Sequence, residues 1–226
     1  MRSPTAVLLL TALALAAPRA ARATDGQVWG EVGGSLELTD GLRLGAAGEV
    51  RLVDDASRVG LVRPSLYLDW RAARWISFKG GYRLALRYKD NKRGEYVDEW
   101  NELFGDATGR AKLGDLKLKL RLRLVESWGW PEKEDRQLTR EHVFRQKLVA
   151  DYGLPSGFSV QGSAELFEQY ATQDAADAGP EKWRAGGGVG WERKGHSFLI
   201  EVLREHDLTG DGEDANILSF SYGFDP

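Results

Sequence analysis

Apolar and polar residues alternate along most of the chain. From Leu116 to Leu124 leucine takes every second position, and Lys117, Lys119, Arg121 and Arg123 take the positions between. A helix would scatter those five leucines around its circumference, whereas a strand sets them in one row. The same period of two recurs. Leu42, Leu44, Ala46, Gly48, Val50 and Leu52 oppose Arg43, Glu49 and Arg51. Val62, Pro64, Leu66, Leu68 and Trp70 oppose Arg63 and Asp69; Ile76, Phe78, Gly80, Tyr82, Leu84, Leu86 and Tyr88 oppose Lys79, Arg83 and Arg87. Further segments repeat it around residues 138–151, where Arg145 and Lys147 are charged, and around 157–170, 181–193 and 215–224.

Eleven such segments can be marked: 28–38, 42–52, 58–70, 74–88, 98–112, 116–127, 138–151, 157–170, 181–193, 196–205 and 215–224. They exceed the usual strand length of about 5–6 residues. Tight turns (39–41, 71–73, 114–115, 153–157, 194–195) alternate with longer polar loops (54–57, 89–97, 129–137, 171–180, 206–214). Short turns at one end and long loops at the other are the habit of a bacterial outer-membrane barrel, which normally has an even number of strands. The expected fold is therefore all-β, an antiparallel transmembrane β-barrel of 10–12 strands, with ten or twelve the expected count.

Three features place the apolar face outside. Aromatic residues gather at the segment ends: Trp70, Tyr152, Phe158 and Trp191 beside short turns, and Tyr88, Trp128, Trp130, Tyr170 and Trp183 beside long loops. Two such belts are what the interfaces of a bilayer select. Trp183 and Trp191 stand eight residues apart on one face, or on the order of 20 Å along the normal at about 3.3 Å per residue and a tilt of about 40°. The apolar face is also rich in glycine and alanine, gaps that a protein core would suffer from and lipid chains flow around. Finally, Phe220, Tyr222 and Phe224 resemble the C-terminal strand signal read by the barrel assembly machinery, although Asp225 and Pro226 follow them. The alternation leaves a second architecture open, a periplasmic lipocalin-like binder of an apolar ligand with its apolar face inward.

The N-terminus supports secretion. Arg2, an apolar run from Ala6 to Ala17, and Ala21-Arg22-Ala23 have the layout of a signal peptide cut after Ala23. The expected division is a signal peptide over 1–23 and one barrel domain over 24–226. Cleavage removes Arg2, Arg19 and Arg22 and no acid from 31 basic and 34 acidic residues, leaving 28 against 34. A net charge of about −6 argues against a nucleic-acid partner. The chain has no cysteine, which excludes a thiol nucleophile and a cysteine zinc site. The mean hydropathy of −0.41 suits a barrel, since only alternate residues meet lipid.

The early Trp29, the Gly48-Glu49-Val50-Arg51 and Arg63-Pro64-Ser65-Leu66-Tyr67 segments, Gly80-Gly81-Tyr82-Arg83 and His142-Val143-Phe144-Arg145 together resemble an uncharacterised family of bacterial outer-membrane β-barrel proteins, domain of unknown function 2490. The resemblance implies the fold and an outer-membrane location. It brings no catalytic residues.

With the apolar face outside, Arg43, Glu49, Arg51, Lys79, Arg83, Arg87, Lys117, Lys119, Arg121, Arg123, Arg145 and Lys147 line the lumen. Charges in so small a space must pair or be hydrated, as a plug of ion pairs or as a narrow solute path favouring anions along Lys117 to Arg123. An outer-membrane hydrolase would have to use His142, His196 or His206, of which His206-Asp207 falls in a predicted loop; no convincing catalytic set emerges. No metal site or cofactor is expected: the acidic run from Asp207 to Asp214 lacks the spacing of a calcium loop. The expected partners are outer-membrane lipid and lipopolysaccharide, with the assembly machinery during biogenesis.

Overall fold

In the computed structural model of the chain, residues 24–91, 94–129, 138–171, 178–210 and 212–226 are described. The signal-peptide segment, its cleavage point and Trp130 lie outside them. The described residues form eleven strands: β1 (Thr24–Thr39), β2 (Leu42–Val53), β3 (Arg58–Ala73), β4 (Ile76–Asn91), β5 (Gly94–Leu113), β6 (Leu116–Gly129), β7 (Thr139–Gly153), β8 (Phe158–Ala171), β9 (Gly179–Arg193), β10 (His196–Asp207) and β11 (Asp214–Phe224). Each pairs with its sequence neighbour, and β1 pairs with β11 to close a barrel.

The expectation of an even count is corrected. In a meander every strand reverses the one before it, so the first and eleventh run the same way. They pair in parallel over Thr24↔Asp214 to Gly34↔Phe224; the other pairs are antiparallel. The chain thus enters the barrel at the long-loop end and leaves it at the short-turn end.

Local chemistry explains the turns. Lys194 and Gly195 both have positive φ (50° and 78°), the two-residue hairpin turn whose twist suits the strands it joins. The predicted 71–73 turn falls instead at Arg74 and Trp75, because β3 runs on to Ala73. β4 and β5 continue through most of the stretch 89–97 that its polarity marked as a loop. His206 likewise belongs to β10, and Asp214 opens β11.

Side-chain direction follows the alternation. On β6, Leu120, Leu122 and Leu124 are exposed on the outer surface, while Arg123 is buried. Leu44, Leu66, Leu68, Leu148, Val189, Ile200, Val202 and Phe220 are exposed in the same way. A water-soluble barrel would bury such a face; a barrel in hydrocarbon exposes it. Following paired residues round the wall from Glu37 (Arg43, Asp69, Lys79, Asp106, Arg123, Arg145, Phe167, Lys182, Asp207) climbs from the short-turn end to the long-loop end. That climb is the stagger which closes a sheet of tilted strands.

Candidate functional site

A barrel of about eight strands is just narrow enough for its inward side chains to fill. A wider one fills only with long ones. Here arginine and aromatic residues do so. Trp29 of β1 lies under two guanidiniums, that of Arg51 on β2 at 3.8 Å and that of Arg184 on β9 at 4.4 Å from the ring. Phe104 of β5 carries Arg83 at 4.1 Å and Arg123 at 4.9 Å. Phe167 of β8 carries Arg145 and Arg184 at 4.5 and 4.9 Å, and Trp100 carries Arg87 at 4.5 Å. Planar guanidinium suits such stacking, where an ammonium would lose most of the contact. Glycines make room for rings: a Cβ on Gly81 would collide with Phe104, and one on Gly45 with Tyr67.

Carboxylates complete the layer. Glu165 of β8 accepts from Arg121 of β6 and Arg145 of β7, both at 2.8 Å, with Arg184 of β9 at 3.7 Å. Asp106 accepts a two-bond fork from Arg123 at 2.5 and 2.6 Å, the geometry that makes arginine–carboxylate pairs strong. Glu49 joins Arg51 and Arg63, each at 2.5 Å, and Arg184 also grips Glu205. Glu102 stands among Arg63, Arg83 and Arg87 at 3.5, 3.8 and 3.9 Å, close enough to balance their charge though longer than a direct hydrogen bond. Arg87 of β4 reaches on to Glu141 of β7 at 3.6 Å, so side chains from separated walls meet. Trp29, Trp100, Phe104, Phe167, Glu102, Asp106, Glu165, Arg83, Arg123 and Arg184 are all buried.

The predicted lumen residues fall in two groups. Glu49, Arg51, Arg83, Arg87, Arg121, Arg123 and Arg145 belong to the layer. Arg43, Lys79, Lys117, Lys119 and Lys147 do not. Arg43 meets Asp225 at 3.6 Å and Lys79 meets Asp69 at 3.7 Å, both nearer the short turns. Lys147 is half-buried beside Arg121 and Glu165 in the paired row. Lys117 and Lys119 are exposed at the short-turn mouth. The sequence reading missed the aromatic half of the layer and the partners Arg63 and Glu205. Trp100 and Phe104 carry a signal: they share parity with Glu102 and Asp106, an apolar pair on a charged face.

The outer surface holds the aromatic belts. Trp70, Tyr152 and Phe158 are exposed at the short-turn end, where Trp70 stacks on Phe78 and half-buried Trp191 packs on Phe198. At the other end Tyr170 packs against His142 and Trp183 against His206, with Tyr88 and Trp128 half-buried. All three histidines sit on strand positions of this outer face. His196 contacts Tyr222 through Nδ1 at 2.9 Å. His206 pairs through Nδ1 with Asp214, not Asp207, at 2.7 Å, and Arg204 meets the other oxygen of Asp214 at 2.7 Å. Asp207 is taken up locally, accepting from Thr209 and from the amides of Gly210 and Gly212. Among the described residues no group of three or more His, Cys, Asp or Glu side chains is gathered as a metal site requires.

Three comparisons bear on this arrangement. The sequence pattern of a family described as "Protein of unknown function (DUF2490)" matches residues 26–202. No curated protein matches the chain. Among solved structures, LpxR from Salmonella typhimurium superposes with a TM-score of 0.50 at 9% identity, covering 81% of this chain and 83% of that one. At that identity the likeness speaks for the fold alone.

Proposed function

This chain belongs to the DUF2490 family, and from that footing we propose that it is a sealed barrel of the outer membrane, an envelope component and not a solute path. The observation that carries the reading is the filled bore: rings and guanidiniums from β1, β2, β4, β5, β6, β7, β8 and β9 meet in one buried layer. A conducting path would have to part those stacks and leave Glu165 and Asp106 without partners, at several kcal/mol for each buried charge. The exposed apolar band meets lipid and, on the long-loop side, lipopolysaccharide. Phe220, Tyr222 and Phe224 present the terminal strand to the assembly machinery, and residues 1–23 direct export.

Planar-bilayer recording tests the reading. The protein, folded in detergent and checked by a heat-modifiable gel shift, gives no steady single-channel steps at ±100 mV. The doubly substituted Trp29→Ala/Phe167→Ala protein, with the two rings that hold Arg184 removed from two walls, gives steps. Regular steps from the unaltered protein would overturn the proposal.

One observation favours a second reading, an envelope hydrolase. The His206–Asp214 pair at the outer rim (2.7 Å) leaves Nε2 of His206 uncommitted by any hydrogen bond found among the described residues. If it activates water, ester hydrolysis by the purified barrel disappears in His206→Ala and survives in His142→Ala. Equal activity in both variants discards this reading.

A further inference from the structure

The lysine–arginine stripe of β6 is one feature in sequence and two in space. Arg121 and Arg123 end on Glu165 and Asp106 inside the sealed layer. Lys119 and Lys117, two and four positions nearer the short turn than Arg121, do not. Their partners across the β5–β6 ladder are also cations: Lys119 faces Arg110 and Lys117 faces Lys112. All four are exposed, inward-pointing positions at the mouth. Among the described residues none of the four makes an ion pair. Like charges set directly opposite on a ladder destabilise it, and here two such pairs are stacked.

The surroundings sharpen the imbalance. The carboxylates at this end are mostly committed elsewhere: Asp69 to Lys79, Asp225 to Arg43 and Ser35, Asp151 to Ser159. Asp151 is the ladder partner of Lys117, and no acid stands opposite Arg110, Lys112 or Lys119 on the β5–β6 and β6–β7 ladders. Half-way round the ring, the inward positions of β1, β10 and β11 at this level are Gly33, Ser35, Ser197, Ser221 and Gly223. A basic wall therefore looks across the mouth mainly at short, uncharged side chains, with Glu37 of β1 and Glu192 of β9 as the acids of the facing rim and the arginine layer as the floor behind it.

We propose that this vestibule is a binding site for a polyvalent phosphate-bearing anion entering from the short-turn side, held by Arg110, Lys112, Lys117 and Lys119. A ligand with two or more linked phosphates matches two stacked cation pairs, and removal of their mutual repulsion adds to the attraction. Flexible lysines at an exposed mouth suit a ligand that arrives and leaves, where the stacked arginines deeper in the bore suit permanence. The inference rests on the sealed-bore reading, because a vestibule needs a floor.

The test is isothermal titration of the detergent-folded, full-length barrel with inorganic pyrophosphate. Saturable binding near one equivalent is expected, weakening with added salt as exposed charge pairs do. The triple variant Lys112→Gln/Lys117→Gln/Lys119→Gln lowers affinity at least tenfold while keeping its heat-modifiable shift. Arg74→Gln/Lys194→Gln, which removes two cations from short turns of the same rim, leaves it within twofold. No saturable binding in the unaltered protein, or equal losses in the two variants, overturns the site. Channel steps from the unaltered protein would remove the floor but not the titration, so the two failures are distinct.

Discussion

Replacing Glu165 with glutamine asks whether the bore is a dry, sealed layer or a wet one. The side chain is 3% exposed and holds Arg121 and Arg145 at 2.8 Å with Arg184 at 3.7 Å. Glutamine keeps the shape and one acceptor oxygen but removes the charge. Arg145 and Arg184, at 13% and 8% exposure, are then left near each other with less compensation, while Arg121, at 26%, can turn toward water. Removing one partner of a buried pair costs about 3–5 kcal/mol. The retained acceptor and the escape of Arg121 put the expected loss at the low end, about 3 kcal/mol, or roughly a hundredfold in the unfolding equilibrium. A water-filled lumen would screen the same pairs to about 0.2–1 kcal/mol. The assay is urea unfolding of the barrel in phospholipid vesicles, followed by tryptophan fluorescence, with midpoints compared at equal slope. Glu165→Gln/Arg145→Gln should recover part of the loss, because one of the stranded cations goes with the anion. A single-variant loss below about 1 kcal/mol would refute the dry layer.

Three further outcomes follow from the same geometry. Leu122→Arg should cost about 2–4 kcal/mol, because its position is close to midway between the belts, and Leu116→Arg, beside the short turn, about 0–1 kcal/mol; equal costs would deny that this face meets a bilayer. Gln146 faces outward beside Leu122 and Leu166, and nothing in the structure explains it. Gln146→Leu should therefore stabilise the barrel by about 1–3 kcal/mol, the penalty of an amide held in an apolar place, as read from the same urea midpoints. Asp207 ends β10 beyond the Trp183–His206 rings. Slight desolvation raises its pKa, but bonds from Gly210, Gly212 and Thr209 outweigh it and hold the carboxyl below its ordinary range. Its contribution is present above about pH 4 and is lost as pH falls through the lowered value. Protection of the Gly210 and Gly212 amides against hydrogen exchange, relative to the intrinsic rate at each pH, should fall at low pH in the unaltered protein and stay low at every pH in Asp207→Asn; protection that does not change with pH in the unaltered protein would refute the assignment.

The period of two was enough to read the strands and the sense of the wall, because hydrocarbon and bore impose opposite demands on alternate residues. Leu120 and Leu122 against Arg121 and Arg123 leave no ambiguity. The same contrast failed where the bore itself wanted apolar groups. Trp100 and Phe104 blur the alternation of β5, and only their cation neighbours from other strands, Arg87, Arg83 and Arg123, explain them. His206 looked like a loop residue because Asp207, Thr209, Gly210 and Gly212 follow it; its partner Asp214 arrives on the next strand. The division of the β6 stripe was also hidden, since Glu165 comes from β8 and no local pattern ties it to Arg121.

The odd strand count was the feature least visible in the sequence. An outward-facing Val or Phe serves a parallel seam as well as an antiparallel one, so β1 and β11 carry no mark of how they meet. What fixes the count is closure, and parallel pairs are slightly weaker per residue than antiparallel ones. The seam runs unbroken from Thr24↔Asp214 to Gly34↔Phe224 but is shorter than the β4–β5, β5–β6 and β6–β7 pairings. Its consequence is a ring wider than an eight-stranded barrel, which valine and leucine could not fill. Arginine laid on tryptophan and phenylalanine spans that width, and each arginine brought inside requires an acid within reach. Below Arg121 the β6 row passes from arginines held by Glu165 and Asp106 to Lys119 and Lys117, and there the layer ends and the open mouth begins.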